Sequence, residues 1–258
     1  MTPVDLYGTQ LVLYLLIFVR VMSIIAVAPV LGHQFIPVQV KVALGLFVAL
    51  VLYPLIAATH PAVPMQLGPL VMAVIAEAGA GLLLGFAMGF ILLGVDVAGD
   101  LIAFDLGLTM SSVLDPETGV QNTVLTEFLR LIMTLVFLLL NGHHFILQAL
   151  RLSFDTVGVG GFTVNGAAAD TLIMLSGKVL IIGIKLAAPV IVASFLMNVA
   201  MGVLSRVAPQ INVFILSFQV KIGVGLMVLV TTAPMMVYVF KNLLAGFEEN
   251  MLQLMKAM

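Results

Sequence analysis

Two acids four residues apart, Asp96 and Asp100, are the first residues whose spacing suggests chemistry. On a helix they share a face, and their like charges repel. A proton or cation relay would use such a pair, as intramembrane acids often do. Ion pairing with Lys or Arg on neighbouring helices explains them too, and is the reading favoured. Glu127 and Arg130, at i and i+3, are expected to pair with each other or with a neighbour. Lys178 and Lys185, seven apart, also share a face and want anionic partners. His143 and His144 are adjacent, so on a helix they point in different directions, and with no HExxH spacing no metal site is expected. The chain has no Walker lysine loop, no GxSxG elbow and no GxGxxG ahead of a helix. Its lack of Cys removes disulfides, thiolate catalysis and cysteine metal sites together. Neither an enzyme nor a resident cofactor is expected.

The elements that must carry these residues are membrane helices. Of 258 residues, 62% are hydrophobic and 9% charged, against roughly 25% charged in a soluble domain. A mean hydropathy of +1.26 is too apolar for the surface of a soluble globule. Net charge is −2, which gives no electrostatic case for nucleic-acid binding. The first positive side chain is Arg20, so no basic region precedes the apolar run Leu11–Val19 and a cleaved signal is not expected. Six stretches carry the hydrophobicity: Leu11–Leu31, Val42–Ala58, Leu67–Val95, Leu131–Leu150, Leu172–Leu204 and Ile211–Phe240. Stretches this long are helical, since a β-barrel would show roughly ten-residue alternating segments. In the third, Gly81, Gly85 and Gly89 form a small-residue face that lets two helices approach closely. Asp96–Thr126 reads as a different, more polar stretch, and Asp155–Asn165 as a loop dividing the chain into a larger first part and a two-helix last part.

Almost every apolar run contains a charge, and a charge at mid-bilayer costs about 2.5–3.5 kcal/mol even on the milder insertion scales. Snorkelling suffices for Lys41 and Lys241 but poorly for Glu77, Lys178 or Lys185. These helices are therefore expected to bury their charges against other protein. The most unusual segment runs from Gly107 to Gly119. It is too polar and too rich in small residues for a lipid-facing helix, and Asp115-Pro116 should terminate whatever precedes it. Irregular backbone at membrane depth survives only when buried in protein or lining an aqueous cavity. A pore or gate loop and an extramembrane connector both satisfy that condition.

Several anchors occur in an order that resembles the FliR family and its virulence-secretion counterparts. They are Arg20 with Ala28-Pro29, Pro37 and Lys41; Asp115-Pro116 leading through Arg130 to Phe137–His143; and Arg206–Phe218 followed by Lys221. The resemblance covers nearly the whole chain. A second likeness, from Leu186–Pro189 through Gln210-Ile211-Asn212 to Leu216–Phe218 and Lys221, is to the small two-helix FliQ-type subunit. Val213 and Val220 stand where that subunit usually has Glu and Pro, so a salt bridge using that Glu does not carry over.

The resemblance implies an all-α integral membrane protein of helical hairpins. A FliP-like part, 1–165, is followed by a FliQ-like hairpin, 166–258. It implies a passive conduit in the bacterial inner membrane, at the flagellar basal body, much of it above the plane of the lipid. One FliR-type subunit closes an assembly with several FliP-type and FliQ-type subunits, near an FlhB-type switch protein. Unfolded flagellar proteins pass through it, driven by the proton motive force and a separate ATPase. The family's plug loop falls on Gly107, Leu108, Thr109, Met110, Ser111, Ser112, Val113, Leu114, Asp115 and Pro116. Asp105 stands where Gln is common ahead of that loop. Asp96, Asp100, Lys178, Lys185, Gln210, Ile211, Asn212 and Lys221 become expected subunit contacts. The main alternative is a proton-coupled small-solute transporter, which would explain midspan acids and Pro-broken helices without partners. A membrane scaffold that conducts nothing and an intramembrane protease are further rivals, the last without a nucleophile–base pair.

Overall fold

The computed structural model describes residues 3–33, 35–58, 66–109, 123–163 and 166–258, and every regular element among them is a helix. The first apolar run forms α1, Pro3–Val27, and ends where Ala28 precedes Pro29, since the residue before a proline is pushed out of the helical region. Val30 then takes a left-handed φ of 68°, and the Lys41 ammonium donates to the Gly32 carbonyl at 2.8 Å. The chain thereby reverses into α2, Val38–Ala57. The Tyr14 hydroxyl donates to the Leu46 carbonyl, and a side-chain carbon added at Gly45 would lie 2.6 Å from the Met22 sulfur. These contacts make α1 and α2 an antiparallel hairpin. The anchors Ala28-Pro29, Pro37 and Lys41 thus serve one helical turn-back.

The third element, α3, spans Leu67–Asp105. It runs ten residues past the apolar stretch that ends at Val95, and so absorbs Asp96, Asp100 and Asp105 into helix. The polar stretch expected to begin at Asp96 is corrected accordingly. The cause is that Asp96 and Asp100 find partners on the following helix. The glycine face of α3 meets α1 closely. A Cβ at Gly81 would sit 2.5 Å from the Arg20 carbonyl oxygen, and one at Gly85 2.9 Å from that of Ile24. The fourth stretch divides into α4, Val124–Leu139, and α5, Gly142–Val157, bent by 65°. Asn141 makes the break with a φ of 59°, a conformation that Asn tolerates better than most residues. The loop expected at Asp155–Asn165 is shorter among the described residues, because α5 continues to Val157 before Gly158 turns it with a φ of 66°.

The last two elements are long: α6, Gly166–Val207, and α7, Val213–Ala257, with Pro189 and Pro234 inside them. Helices of 39, 42 and 45 residues exceed the roughly 20 needed to cross the hydrocarbon layer. Among the described residues, five helices are long and apolar enough to span, and the bent α4–α5 pair makes a sixth if it counts as one. The chain forms two compact units, one of Met1–Phe90, Asn141–Ser176 and Gly246–Met258, the other of Ile91–Leu140 and Gly177–Ala245.

The glycine face yields a direct expectation. Gly81→Ala forces a methyl into the α1 backbone and should destabilise the protein by about 1–3 kcal/mol, the usual penalty for overpacking. Gly177→Ala meets nothing within 4 Å and should be neutral or slightly stabilising, since Ala is the better helix former. Thermal unfolding of both variants in the same detergent measures the contrast.

Candidate functional site

The charges inside the apolar helices form three clusters. In the first unit, Arg20 on α1 and Glu77 on α3 are both fully buried. The Arg20 Nε donates to Glu77 Oε2 at 2.6 Å and its Nη2 to Oε1 at 2.9 Å. Two parallel bonds of this kind suit the planar guanidinium, and charge assistance makes them strong. The remaining donors are used as well: Nη1 reaches the Ser153 carbonyl at 2.9 Å and Nη2 the Gly158 carbonyl at 2.6 Å. The guanidinium carbon lies 4.1 Å from the centre of the Phe154 ring, a cation–π contact. Glu77 also accepts from the Gly160 amide at 2.6 Å. One ion pair therefore ties α1, α3, α5 and the turn after α5 together.

The second cluster stands in the other unit, on the last turns of α3. Arg130 of α4 holds Asp96 through two bonds, Nε to Oδ1 at 2.8 Å and Nη2 to Oδ2 at 2.5 Å. Glu127 is only a looser neighbour of the same guanidinium, at 4.0 Å. One turn on, Asp100 accepts from the Thr126 hydroxyl at 2.8 Å. Thr126 in turn lies 2.9 Å from the Thr123 hydroxyl, whose oxygen caps α4 by accepting from the Thr126 amide. Gly99 permits this approach, since a Cβ there would be 2.8 Å from the Thr126 Cα. The charge that Asp96 carries is thus met inside the chain. Asp100 accepts a hydroxyl and makes no ion pair among the described residues, so the two acids have different partners.

The third cluster closes α3. Leu108 N–H donates to the Ala103 carbonyl at 2.8 Å and Gly107 N–H to that of Phe104 at 3.0 Å. With Gly107 at a φ of 78°, this is a Schellman turn, which suits a glycine in the left-handed region. The Lys221 ammonium donates to the Asp105 carbonyl at 3.0 Å. Of the segment expected to plug a pore, Gly107, Leu108 and Thr109 belong to this turn, while Met110, Ser111, Ser112, Val113, Leu114, Asp115 and Pro116 lie outside the described residues.

The other expected contacts lie elsewhere. Gln210, Ile211 and Asn212 are exposed at the turn between α6 and α7, where Asn212 Oδ1 accepts from the Ile215 amide at 3.4 Å. Lys185 is exposed and Lys178 half-buried on α6. His143 and His144 stack on one another, and no group of metal-ligating side chains occurs among the described residues. The spacing of the sequence did not reveal the partners of Arg20. Glu77 is 57 residues away, and the other acceptors are two main-chain carbonyls and a serine hydroxyl.

The Arg20 centre carries a test. Arg20→Met leaves Glu77 buried without its counter-ion and should cost about 3–5 kcal/mol, whereas Arg20→Met with Glu77→Leu should recover most of that loss. Unfolding curves for the two single variants and the double variant, in one detergent, give the coupling.

Residues 11–247 match the family of bacterial export proteins, family 1. Among similar proteins, the flagellar biosynthetic protein FliR of Pectobacterium carotovorum subsp. carotovorum is 31% identical over 84% of this chain and 83% of its own length. The flagellar biosynthetic protein FliR of Escherichia coli (strain K12) is 29% identical over 86% and 85%. That of Bacillus subtilis (strain 168) is 27% identical over 94% of both chains.

Proposed function

The chain belongs to the bacterial export proteins of family 1, the FliR family, and on that premise we propose that it lines the protein-export gate of the flagellum together with FliP-type and FliQ-type subunits. It is a subunit of the flagellar export apparatus and resides in the bacterial inner membrane. The family match gives no support to the solute-transporter alternative. In the proposed assembly, residues 1–165 act as the FliP-like part and 166–258 as the FliQ-like hairpin, with an FlhB-type switch protein alongside. Unfolded flagellar proteins are the cargo, and the subunit guides them without a catalytic step of its own.

The observation that best supports this reading is the distribution of polar groups. Arg20, Glu77, Asp96 and Arg130 are satisfied inside the chain, but the exposed Lys185 and the exposed Gln210–Asn212 turn are not lipid-compatible surfaces. Polar groups of this kind are costly in hydrocarbon without hydrogen-bond partners. Subunit contacts at Lys185, Gln210, Ile211 and Asn212 would supply those partners, and Lys178 and Lys221 belong to the same proposed contact surface. Asp100, held at present by one hydroxyl, belongs with that proposed set.

The 107–116 segment is the proposed plug. Leu108, Met110, Val113 and Leu114 give it apolar bulk, and hydrophobic constrictions close by dewetting. Met110 would yield and repack as a polypeptide passes. Deleting Thr109–Val113 in an otherwise complete gate should leave assembly intact and make the membrane leaky to small ions, with export continuing. Ion or small-dye permeability of such cells is the measurement, with assembly checked by co-purification. An assembled gate that stays tight would make the segment a connector.

A further inference from the structure

The end of α3 is fastened by one face of α7. Phe218, Lys221 and Gly225 stand at i, i+3 and i+7, which places them in line along a helix. Each touches a different residue of the α3 terminus. The Phe218 ring lies against Gly107, where an added Cβ would meet it at 2.7 Å. Gly225 receives the side chain of the fully buried Leu106. Between them the Lys221 ammonium donates to the Asp105 carbonyl.

The Schellman turn explains why a cation belongs there. Its two bonds satisfy the carbonyls of Ala103 and Phe104 and leave that of Asp105 at the negative end of the helix dipole without an amide of its own. A lysine at that point supplies the missing donor and a favourable charge. Asp105 adds a second reason. Its Oδ2 is buried and has no hydrogen-bond partner among the described residues, and Lys221 is the cation bonded to the main chain of the same residue.

We propose that Lys221 is a positioning residue that latches the α3 terminus to α7 and so fixes the left-handed turn from which the 107–116 segment departs. Phe218 and Gly225 give the latch its shape, and Lys221 gives it charge. The apolar contacts alone tolerate sliding. The charged hydrogen bond to one carbonyl sets the register. Its link to sealing rests on the proposed plug, but the latch itself involves described residues only.

The absence of Cys from this chain makes a clean test available. Leu106→Cys and Gly225→Cys are introduced together, and the chain is co-expressed with the other gate subunits. The intramolecular disulfide formed under mild oxidation is scored after proteolysis between the two sites. Lys221→Met and Lys221→Gln should each slow disulfide formation by about tenfold, the order expected for losing a hydrogen bond to a charged group. Lys221→Arg, which keeps the charge and a donor, should form it at close to the parent rate. Co-purification with the partner subunits confirms assembly of each variant, and the glutamine variant keeps a polar side chain should methionine impair folding. Unchanged disulfide rates in both neutral variants would overturn the latch. Ion permeability, measured with the same Lys221 substitutions in the cysteine-free chain, separates the latch from the gate. A leak joins the two. A slowed disulfide with a tight membrane keeps the latch and shows that sealing does not depend on it.

Discussion

The bonding of Arg20 to Glu77 is the interaction on which the first unit depends. Each charge sits inside an apolar stretch of helix, and neither retains any contact with solvent. A charge in that position has two outcomes: a partner of opposite sign with its remaining donors and acceptors filled, or a penalty of several kcal/mol. Here the requirement reaches beyond the pair. Arg20 has more donors than a carboxylate can accept, so it also recruits carbonyls from the end of α5 and the following turn. Glu77 has lone pairs to spare, so it captures the Gly160 amide. The path of the chain after α5 follows from these demands. The close approach of α1 and α3, made possible by Gly81 and Gly85, brings the two charges within bonding range.

The same rule organises the end of α3 with different chemistry. Asp96 receives a guanidinium, Asp100 a hydroxyl, and the carbonyl of Asp105 an ammonium. Three successive polar positions on one helix are thus met by α4 and α7. That explains how a helix of 39 residues carries three acids at its end without fraying. It also places a rigid, charge-fixed helix immediately before the segment proposed to close a pore.

Much of this was legible in the amino-acid sequence. The helices follow from run length and hydrophobicity, and the glycine spacing in α3 announced a close contact. The excess of charges in apolar runs announced that they must be paired, though not with what. Arg130 illustrates the limit. Its sequence neighbour Glu127 stands at the helical spacing for an ion pair, yet the guanidinium prefers Asp96, 34 residues away, which offers two aligned oxygens. Local spacing identifies available partners, while tertiary packing decides among them. The apolar run ends at Val95, whereas α3 continues to Asp105, because Asp96 and Asp100, which share a helical face, find partners on α4. The break at Asn141 was visible as a polar interruption, whereas its left-handed geometry belongs to the folded chain.

Subunit identity accounts for what the chain leaves unsatisfied. Lys185 and the Gln210–Asn212 turn are exposed. A chain complete in itself would pair such groups internally, as it does around Arg20. The most direct measurement is the native mass of the tagged chain, purified in mild detergent from cells that also express the other gate subunits. The expected result is a hetero-oligomer in which this chain is bound to FliP-type and FliQ-type subunits, while the chain expressed alone aggregates or is degraded. A monodisperse, long-lived monomer under both conditions would contradict it.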